Sequence, residues 1–339
     1  MINCHYRLIS PKRIGIDFVD EKMDIDKVVV RPLYLSICAA YQRYYQGKRD
    51  PKVLAKKLPM SLIHESVGVV LRDPKGEFKP GTKVVMIPNT PVDHDDIIKE
   101  NYLRSSKFRA SGFDGFMQTV VYMDRGRIIP YHNVEDRVAV LLELMSVAMN
   151  AVEHFNMYSH LKKQVLGVWG CGSVGYVTSL ILKKLYPNAE VIVFGTDVNK
   201  LHYFQFADAT YLINEVPEDL RVDHAFECVG GRGSESAINQ MIDIINPQGS
   251  IALMGVSEEP VGINTRMVLE KGITLLGNSR SGYEDFAAAI KFFEDFPESQ
   301  EYLAKIISSE ITIHSIVDMS KAFEEDSVNN FKTIMKWEV

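Results

Sequence analysis

Val165-Leu166-Gly167-Val168-Trp169-Gly170-Cys171-Gly172-Ser173-Val174-Gly175-Tyr176 is the stretch on which the fold turns. Its apolar run Val165–Trp169 reads as a buried strand, and it leads through Gly-x-Gly-x-x-Gly into a helical segment, Tyr176–Leu185. A lone glycine triplet says little, but between a strand and a helix each glycine has a task. Gly170 makes the tight turn, Gly172 lets phosphate approach the backbone, and Gly175 lets helix and strand pack closely. The backbone N–H groups at the helix start, on Ser173 and Val174, then face a pyrophosphate. Outward from this motif, Gln164 to Gly277 alternates strand runs with helical segments. The strands are Val165–Trp169, Val191–Phe194, Tyr211–Ile213, His224–Val229, Ser250–Met254 and Ile273–Leu276. That alternation predicts a doubly wound parallel α/β sheet that binds a dinucleotide.

The end of the second strand selects the cofactor, because an acid there holds the ribose 2′-hydroxyl whereas a small or basic setting admits a 2′-phosphate. Val191–Phe194 ends in Gly195-Thr196, which offers room and a hydroxyl where an acid would repel phosphate. NADP is expected, with Thr196 and Lys200 as its phosphate contacts. Asp197 would restore NAD if the strand ended two residues later.

Up to about residue 145 the apolar segments are short: Val28–Val30, Gly68–Leu71, Lys83–Ile87, Met117–Tyr122 and Arg127–Ile129, separated by turn pairs such as Asp73-Pro74 and Pro80-Gly81. This half reads as a small β-rich barrel with few helices. A tail follows Tyr283, with an amphipathic run Phe286–Phe293 and a late strand Thr333–Trp337. The 339 residues suggest two domains, and 38 basic against 44 acidic residues give a net charge of −6. With a pI near 5.9, nucleic acid is not an expected partner. Cys4, Cys38, Cys171 and Cys228 form no CxxC pair, and the N-terminus has no apolar signal core, so a cytoplasmic chain is expected. The uncharged run Val165–Leu182 reaches membrane-spanning length, but its glycines fit a strand, turn and helix instead.

In the first half Ser36-Ile37-Cys38 is followed by Ile63-His64-Glu65-Ser66-Val67-Gly68, and Leu142-Glu143-Leu144-Met145 precedes the nucleotide-binding half. These segments resemble the zinc-containing medium-chain alcohol and polyol dehydrogenases, in which a Cys, a His-Glu pair and a later Cys or Glu surround a catalytic zinc. The resemblance implies a GroES-like catalytic domain over 1–145, a Rossmann domain over 146–282 and a return to the catalytic domain over 283–339. It also implies a metal set of Cys38, His64, Glu65 and Glu143. Zinc acting as a Lewis acid needs three protein ligands and an open position. Three anionic ligands would blunt its acidity, so one glutamate is expected to act through water or to exchange. The family's four-cysteine structural lobe would fall near Pro88–Phe116, which holds no cysteine, so one zinc is expected.

Longer segments carry a closer likeness: Leu58-Pro59-Met60-Ser61-Leu62-Ile63-His64-Glu65, Val84–Pro91, Ser111–Gln118, Asp223–Ser234 and Gly277–Gly282. They look like the ribulose-5-phosphate reductases, also called ribitol-5-phosphate dehydrogenases. That likeness implies NADPH-dependent reduction of D-ribulose 5-phosphate to D-ribitol 5-phosphate for CDP-ribitol, a precursor of ribitol-containing wall or capsule polymers. A ribitol-5-phosphate cytidylyltransferase would then be a functional partner, and a homodimer or homotetramer the assembly. Cys228, Gly230, Gly255 and Val256 would line the nicotinamide and its ribose, while Ser279 and Arg280 would touch the cofactor or a subunit interface. After the zinc cysteine this chain has Ala39-Ala40-Tyr41, without the hydroxyl that often starts the family's proton relay. A zinc-bound water, Glu65 or Tyr41 takes that role. The substrate phosphate needs cations, and Arg43, Lys48 and Arg49 are the first candidates, with Arg104, Lys107 and Arg109 behind them. An NAD-dependent dehydrogenase of unphosphorylated polyols is the alternative enzyme, and a catalytically silent binding protein on the same fold is the alternative outside enzymes.

Overall fold

The computed structural model describes residues 2–22 and 24–339, which divide into two compact units: residues 1–146 with 281–339, and residues 147–280.

In the first unit, strands Ile2–Ser10 and Arg13–Asp20 form an antiparallel hairpin, with the short strand Met60–Ser61 beside the first of them. A larger sheet runs in the order Ile128–Pro130, Lys83–Met86, Glu65–Arg72, Lys27–Ser36, Lys332–Trp337, Ile307–Ile313, and Val121–Asp124 also pairs with Lys27–Ser36. The register decides what meets what. Ser36 stands opposite Glu65 on one side and Ile334 on the other, so residues far apart in sequence converge at one end of the central strand. The core is a cluster that includes Leu35, Ile37, Tyr41, Leu62, Phe116 and Met335.

The expected strand Met117–Tyr122 starts later, at Val121. The residues before it are spent on other partners, with Phe116 N–H donating to Ile63 O (2.8 Å) and Tyr6 N–H to Met117 O (2.9 Å). Asp114 anchors that segment by accepting from Arg7, His5 and the Ser61 N–H.

The second unit is a six-stranded parallel sheet. In chain order its strands are Val165–Trp169, Glu190–Gly195, Ala209–Leu212, His224–Glu227, Ser250–Leu253 and Thr274–Gly277, and in space they lie 3-2-1-4-5-6. The order reverses between Val165–Trp169 and His224–Glu227, the place where such sheets bind ligands. The central strands Val165–Trp169 and Glu190–Gly195 are nearly continuous apolar runs because helices cover them, among them Ser173–Leu185. Ser234–Ile244 lies against the sheet as well. Trp169 stacks on Phe194 within the core. Among the described residues no helix is long and apolar enough to cross a membrane.

Candidate active site

Cys38 follows strand Lys27–Ser36 and stands at the N-cap of helix Ala39–Tyr45. Across the sheet His64 leads into strand Glu65–Arg72, and Ile63 before it is fully buried with φ +70°. That left-handed backbone is costly for a β-branched residue, and it turns the chain so that His64 and Glu65 enter the pocket one after the other. The Sγ of Cys38, a ring nitrogen of His64 and a carboxylate oxygen of Glu65 lie within 4.8 Å of one another. Glu143, in the first turn of helix Leu142–Tyr158, brings Oε1 to 3.5 Å from His64 Nε2. His64 Nδ1 is hydrogen-bonded by the Tyr41 hydroxyl, and Phe108 meets the ring edge-on at 5.0 Å. The ring is therefore fixed through one nitrogen while the other faces the acids, the arrangement of a metal-binding histidine with an orienting partner.

One participant was absent from the sequence reading. Lys332, buried on the last strand, places Nζ 2.7 Å from Glu65 Oε1 and 2.6 Å from Oε2, and donates to Ile37 O at 3.0 Å. A lone lysine 267 positions from its partner leaves no signal in local sequence.

Burial, followed by the nearby charges of Glu65 and Glu143, pushes the Cys38 thiol up to about 12, and Lys332 opposes the shift. Burial and Glu65 likewise hold the Glu143 carboxyl well above the usual carboxylate range. Three groups that ionise negatively share this pocket with one lysine, so the full set is short by two positive charges. One divalent cation supplies them, and sulfur, imidazole nitrogen and carboxylate oxygen together are the donors zinc takes. The donor set fits the metal.

The phosphate candidates separate. Arg43 leaves helix Ala39–Tyr45 roughly 200° around from Tyr41, as two steps of an α-helix require, and Lys48 is exposed. Arg49 lies over the Tyr44 ring at 4.9 Å. Arg104 and Lys107 are exposed, whereas Arg109 donates to the carbonyls of Tyr122 (2.9 Å) and Asp114 (3.5 Å) and lies over the Phe116 ring.

In the second unit, a Cβ on Gly175 would stand 1.8 Å from Gly170 O, so only glycine allows the helix so near the strand. At Gly172 a Cβ would meet nothing within 4 Å, which leaves an open approach above the N–H groups of Ser173 and Val174, and no side chain caps that helix start. A cleft of about 410 Å3 opens there, bringing together Gly170, Gly172, Thr196, Lys200, Cys228 and Gln240.

Gly195 corrects one expectation. It does not provide room, since a Cβ there would lie 2.7 Å from Cys171 Sγ and 3.0 Å from Leu201 Cδ2. The open position is Thr196, which is exposed. Asp197 caps the next short helix, its Oδ1 accepting from Asn199 N–H (2.9 Å) and Lys200 N–H (3.3 Å), so the acid that could have favoured NAD is engaged by backbone.

Gly230, Gly255 and Val256 gather around a further residue that the sequence reading did not single out. Glu227 Oε1 accepts from the Val229 and Gly230 N–H groups (3.0 and 2.9 Å) and from Ser234 Oγ (3.1 Å), and Oε2 accepts from Gly255 N–H (2.7 Å). One buried carboxylate thus sets the shape of two strand-end loops. Val256 O in turn accepts from Gly231 N–H. Ser279 and Arg280 follow strand Thr274–Gly277, with Arg280 at φ +60°.

Comparison with known proteins gives two family matches: an alcohol dehydrogenase GroES-like domain over residues 24–133 and a zinc-binding dehydrogenase domain over residues 173–295. The chain is 50% identical to a ribulose-5-phosphate reductase of Bacillus spizizenii over the full length of both proteins. It is 45% identical to a ribulose-5-phosphate reductase of Streptococcus pneumoniae, covering 100% of this chain and 98% of that one. Among solved structures, Staphylococcus aureus TarJ in complex with NADPH superposes with a TM-score of 0.89 at 46% identity, covering both chains fully.

Proposed function

Because the chain belongs to the ribulose-5-phosphate reductases, within the zinc-binding medium-chain dehydrogenases, we propose that it reduces D-ribulose 5-phosphate to D-ribitol 5-phosphate with NADPH. The observation that carries this reading is the convergence of Cys38, His64, Glu65 and Glu143 in one buried pocket of a chain that matches those reductases from end to end. When bound, zinc supplies Lewis acidity to the C2 carbonyl oxygen and NADPH supplies the hydride.

Cys38, His64 and the two glutamates would hold the metal. Lys332 neutralises Glu65, which lessens the electron donation that three anionic ligands would otherwise impose. Tyr41 fixes the His64 ring, and with alanine at position 40 it is the hydroxyl that supplies the proton to the new alcohol. Gly170, Gly172, Ser173, Val174 and Gly175 take the pyrophosphate, and Thr196 with Lys200 takes the 2′-phosphate. Cys228, Gly230, Gly255 and Val256, shaped by Glu227, take the nicotinamide end. Ser279 and Arg280 complete the cofactor's surroundings or a subunit contact. Arg43, Lys48 and Arg49 supply the positive field for the substrate phosphate.

In this reading residues 1–145 and 283–339 form the catalytic domain and 146–282 the cofactor domain. The enzyme works in the cytoplasm as a homodimer or homotetramer, and a ribitol-5-phosphate cytidylyltransferase consumes its product on the way to CDP-ribitol and a ribitol-containing wall or capsule polymer. The test is steady-state oxidation of NADPH with ribulose 5-phosphate, ribulose and xylulose 5-phosphate side by side. Ribulose 5-phosphate should give the highest kcat/KM, and equal or higher efficiency on an unphosphorylated ketose contradicts the assignment.

A further inference from the structure

Between Arg43 and Lys57 the chain carries six cationic residues and one acid, Asp50, in a protein whose net charge is −6. The acid is occupied, because Asp50 caps helix Pro51–Lys57 by accepting from the Lys52 N–H at 2.7 Å. Within this segment lies Tyr44, three residues after Tyr41 and so on the same side of helix Ala39–Tyr45. Tyr44 is 2% exposed, and its hydroxyl has no hydrogen-bond partner among the described residues. Buried hydroxyls are nearly always partnered in a folded protein, so this one marks a place where an acceptor arrives from outside the chain. Two cations lie over the ring that carries it. The Arg49 guanidinium lies 4.9 Å from the Tyr44 ring centre and Lys57 Nζ 5.9 Å from it. Lys57 is steadied by donating one of its three N–H groups to Ser111 Oγ at 3.1 Å.

We infer that Tyr44, Arg49 and Lys57 form the subsite for the phosphate of a short-chain sugar phosphate, and that this subsite, rather than Arg43, sets the preference for phosphorylated over free ketose. The inference rests on the reading that the pocket of Cys38 and His64 reduces such a ketose. A phosphate monoester offers several anionic oxygens, enough for a phenol donor, a guanidinium fork and an ammonium at once. The reach is right as well. Tyr41 touches His64, and Tyr44 lies three residues further along the helix, a rise of roughly 4.5 Å. Three carbons and an ester oxygen separate C2 of a pentulose 5-phosphate from its phosphorus, a span of that order. Binding energy from this remote group can then be used to hold C2 in its reacting position.

The test compares the unaltered enzyme with Arg49→Gln, Lys57→Gln and Tyr44→Phe, reading kcat/KM for ribulose 5-phosphate and for ribulose together with calorimetric titration of inorganic phosphate. Each charge-removing change should lower the ratio of the two efficiencies by about 30-fold and weaken phosphate binding, with about tenfold for Tyr44→Phe. Arg43→Gln should change the ratio by much less. A ratio and a phosphate affinity that stay at the unaltered enzyme's values overturn the subsite, as does an equal loss on both ketoses. If the unaltered enzyme reduces neither ketose yet binds phosphate in a manner that depends on Arg49 and Lys57, the proposed reaction fails and the subsite stands.

Discussion

Lys332 Nζ lies 2.7 Å from Glu65 Oε1, and both side chains are shut away from solvent. The pair joins the last strand of the chain to the edge of the Cys38–His64 pocket. Removing one partner of such a pair leaves a bare buried charge, which costs about 3–5 kcal/mol, whereas removing both costs much less. Lys332→Met should therefore destabilise the protein by about that amount in urea unfolding, and Lys332→Met with Glu65→Gln should recover at least half of the loss. Additive effects of the two changes would show that the pair is not coupled.

Metal content follows from the donor set. Cys38→Ser should lose most of its zinc and its turnover while keeping the unaltered protein's circular dichroism, because serine is a poor replacement for a thiolate ligand. The unaltered protein should hold about one zinc per chain by plasma emission analysis, since 88–116 contains no cysteine for a second site. Two zincs per chain would contradict this.

Cofactor choice should respond at Thr196 and not at Gly195, where any side chain collides with Cys171. Thr196→Glu places a carboxylate beside the 2′-phosphate position and should cut kcat/KM for NADPH at least tenfold relative to that for NADH. An unchanged ratio would move the 2′-phosphate away from this strand end.

Glu227 shapes the loops of Gly230 and Gly255 with both of its oxygens. Glu227→Gln keeps the size but turns an acceptor into a donor facing N–H groups, so at least one buried N–H loses its partner at about 1–3 kcal/mol. NADPH affinity, followed by quenching of protein fluorescence, should weaken about tenfold or more. Unaltered affinity would mean that the loops keep their shape without the carboxylate.

His224 predicts an acid-sensitive stability. It is buried, accepts the Ser250 N–H at Nδ1 (3.1 Å) and contacts Lys162 O through Nε2 (3.0 Å). Burial, aided by neighbouring His160, lowers its pKa from 6.5 to about 4. The unfolded chain takes up the proton first, so this contribution is complete above about pH 6.5 and drains as the pH falls toward 4. Its slope is at most about 1.4 kcal/mol per pH unit. His224→Gln should flatten the denaturation midpoint across that window relative to the unaltered protein, and an identical slope would locate the effect elsewhere.

The nucleotide-binding half was legible nearly residue by residue. Its central strands are buried on both faces and read as apolar runs, and Val165–Trp169 matches the observed strand end to end. The hairpin Ile2–Ser10 and Arg13–Asp20 was not read, because His5, Arg7 and Asp17 interrupt its alternation and are satisfied by each other and by distant partners such as Asp114. In the candidate site, Cys38, His64 and Glu143 could be named from their motifs. Lys332 and Tyr44 could not. Their significance lies in pairing across the sheet and in burial beside a cationic turn, neither of which has a local pattern.

The strand that carries Lys332 leaves the ribosome only after all of residues 147–280. Residues 147–280 are contiguous and can close their parallel sheet while synthesis continues. The first unit must wait, because Ile334, which pairs with Ser36, emerges only after the second unit is complete. Until then the Glu65 carboxylate has no Lys332 beside it and the metal pocket lacks a wall. A chain that stops short of the last strand thus carries a finished cofactor module and an open catalytic one, a hallmark by which proteolytic surveillance could sort incomplete copies from complete ones.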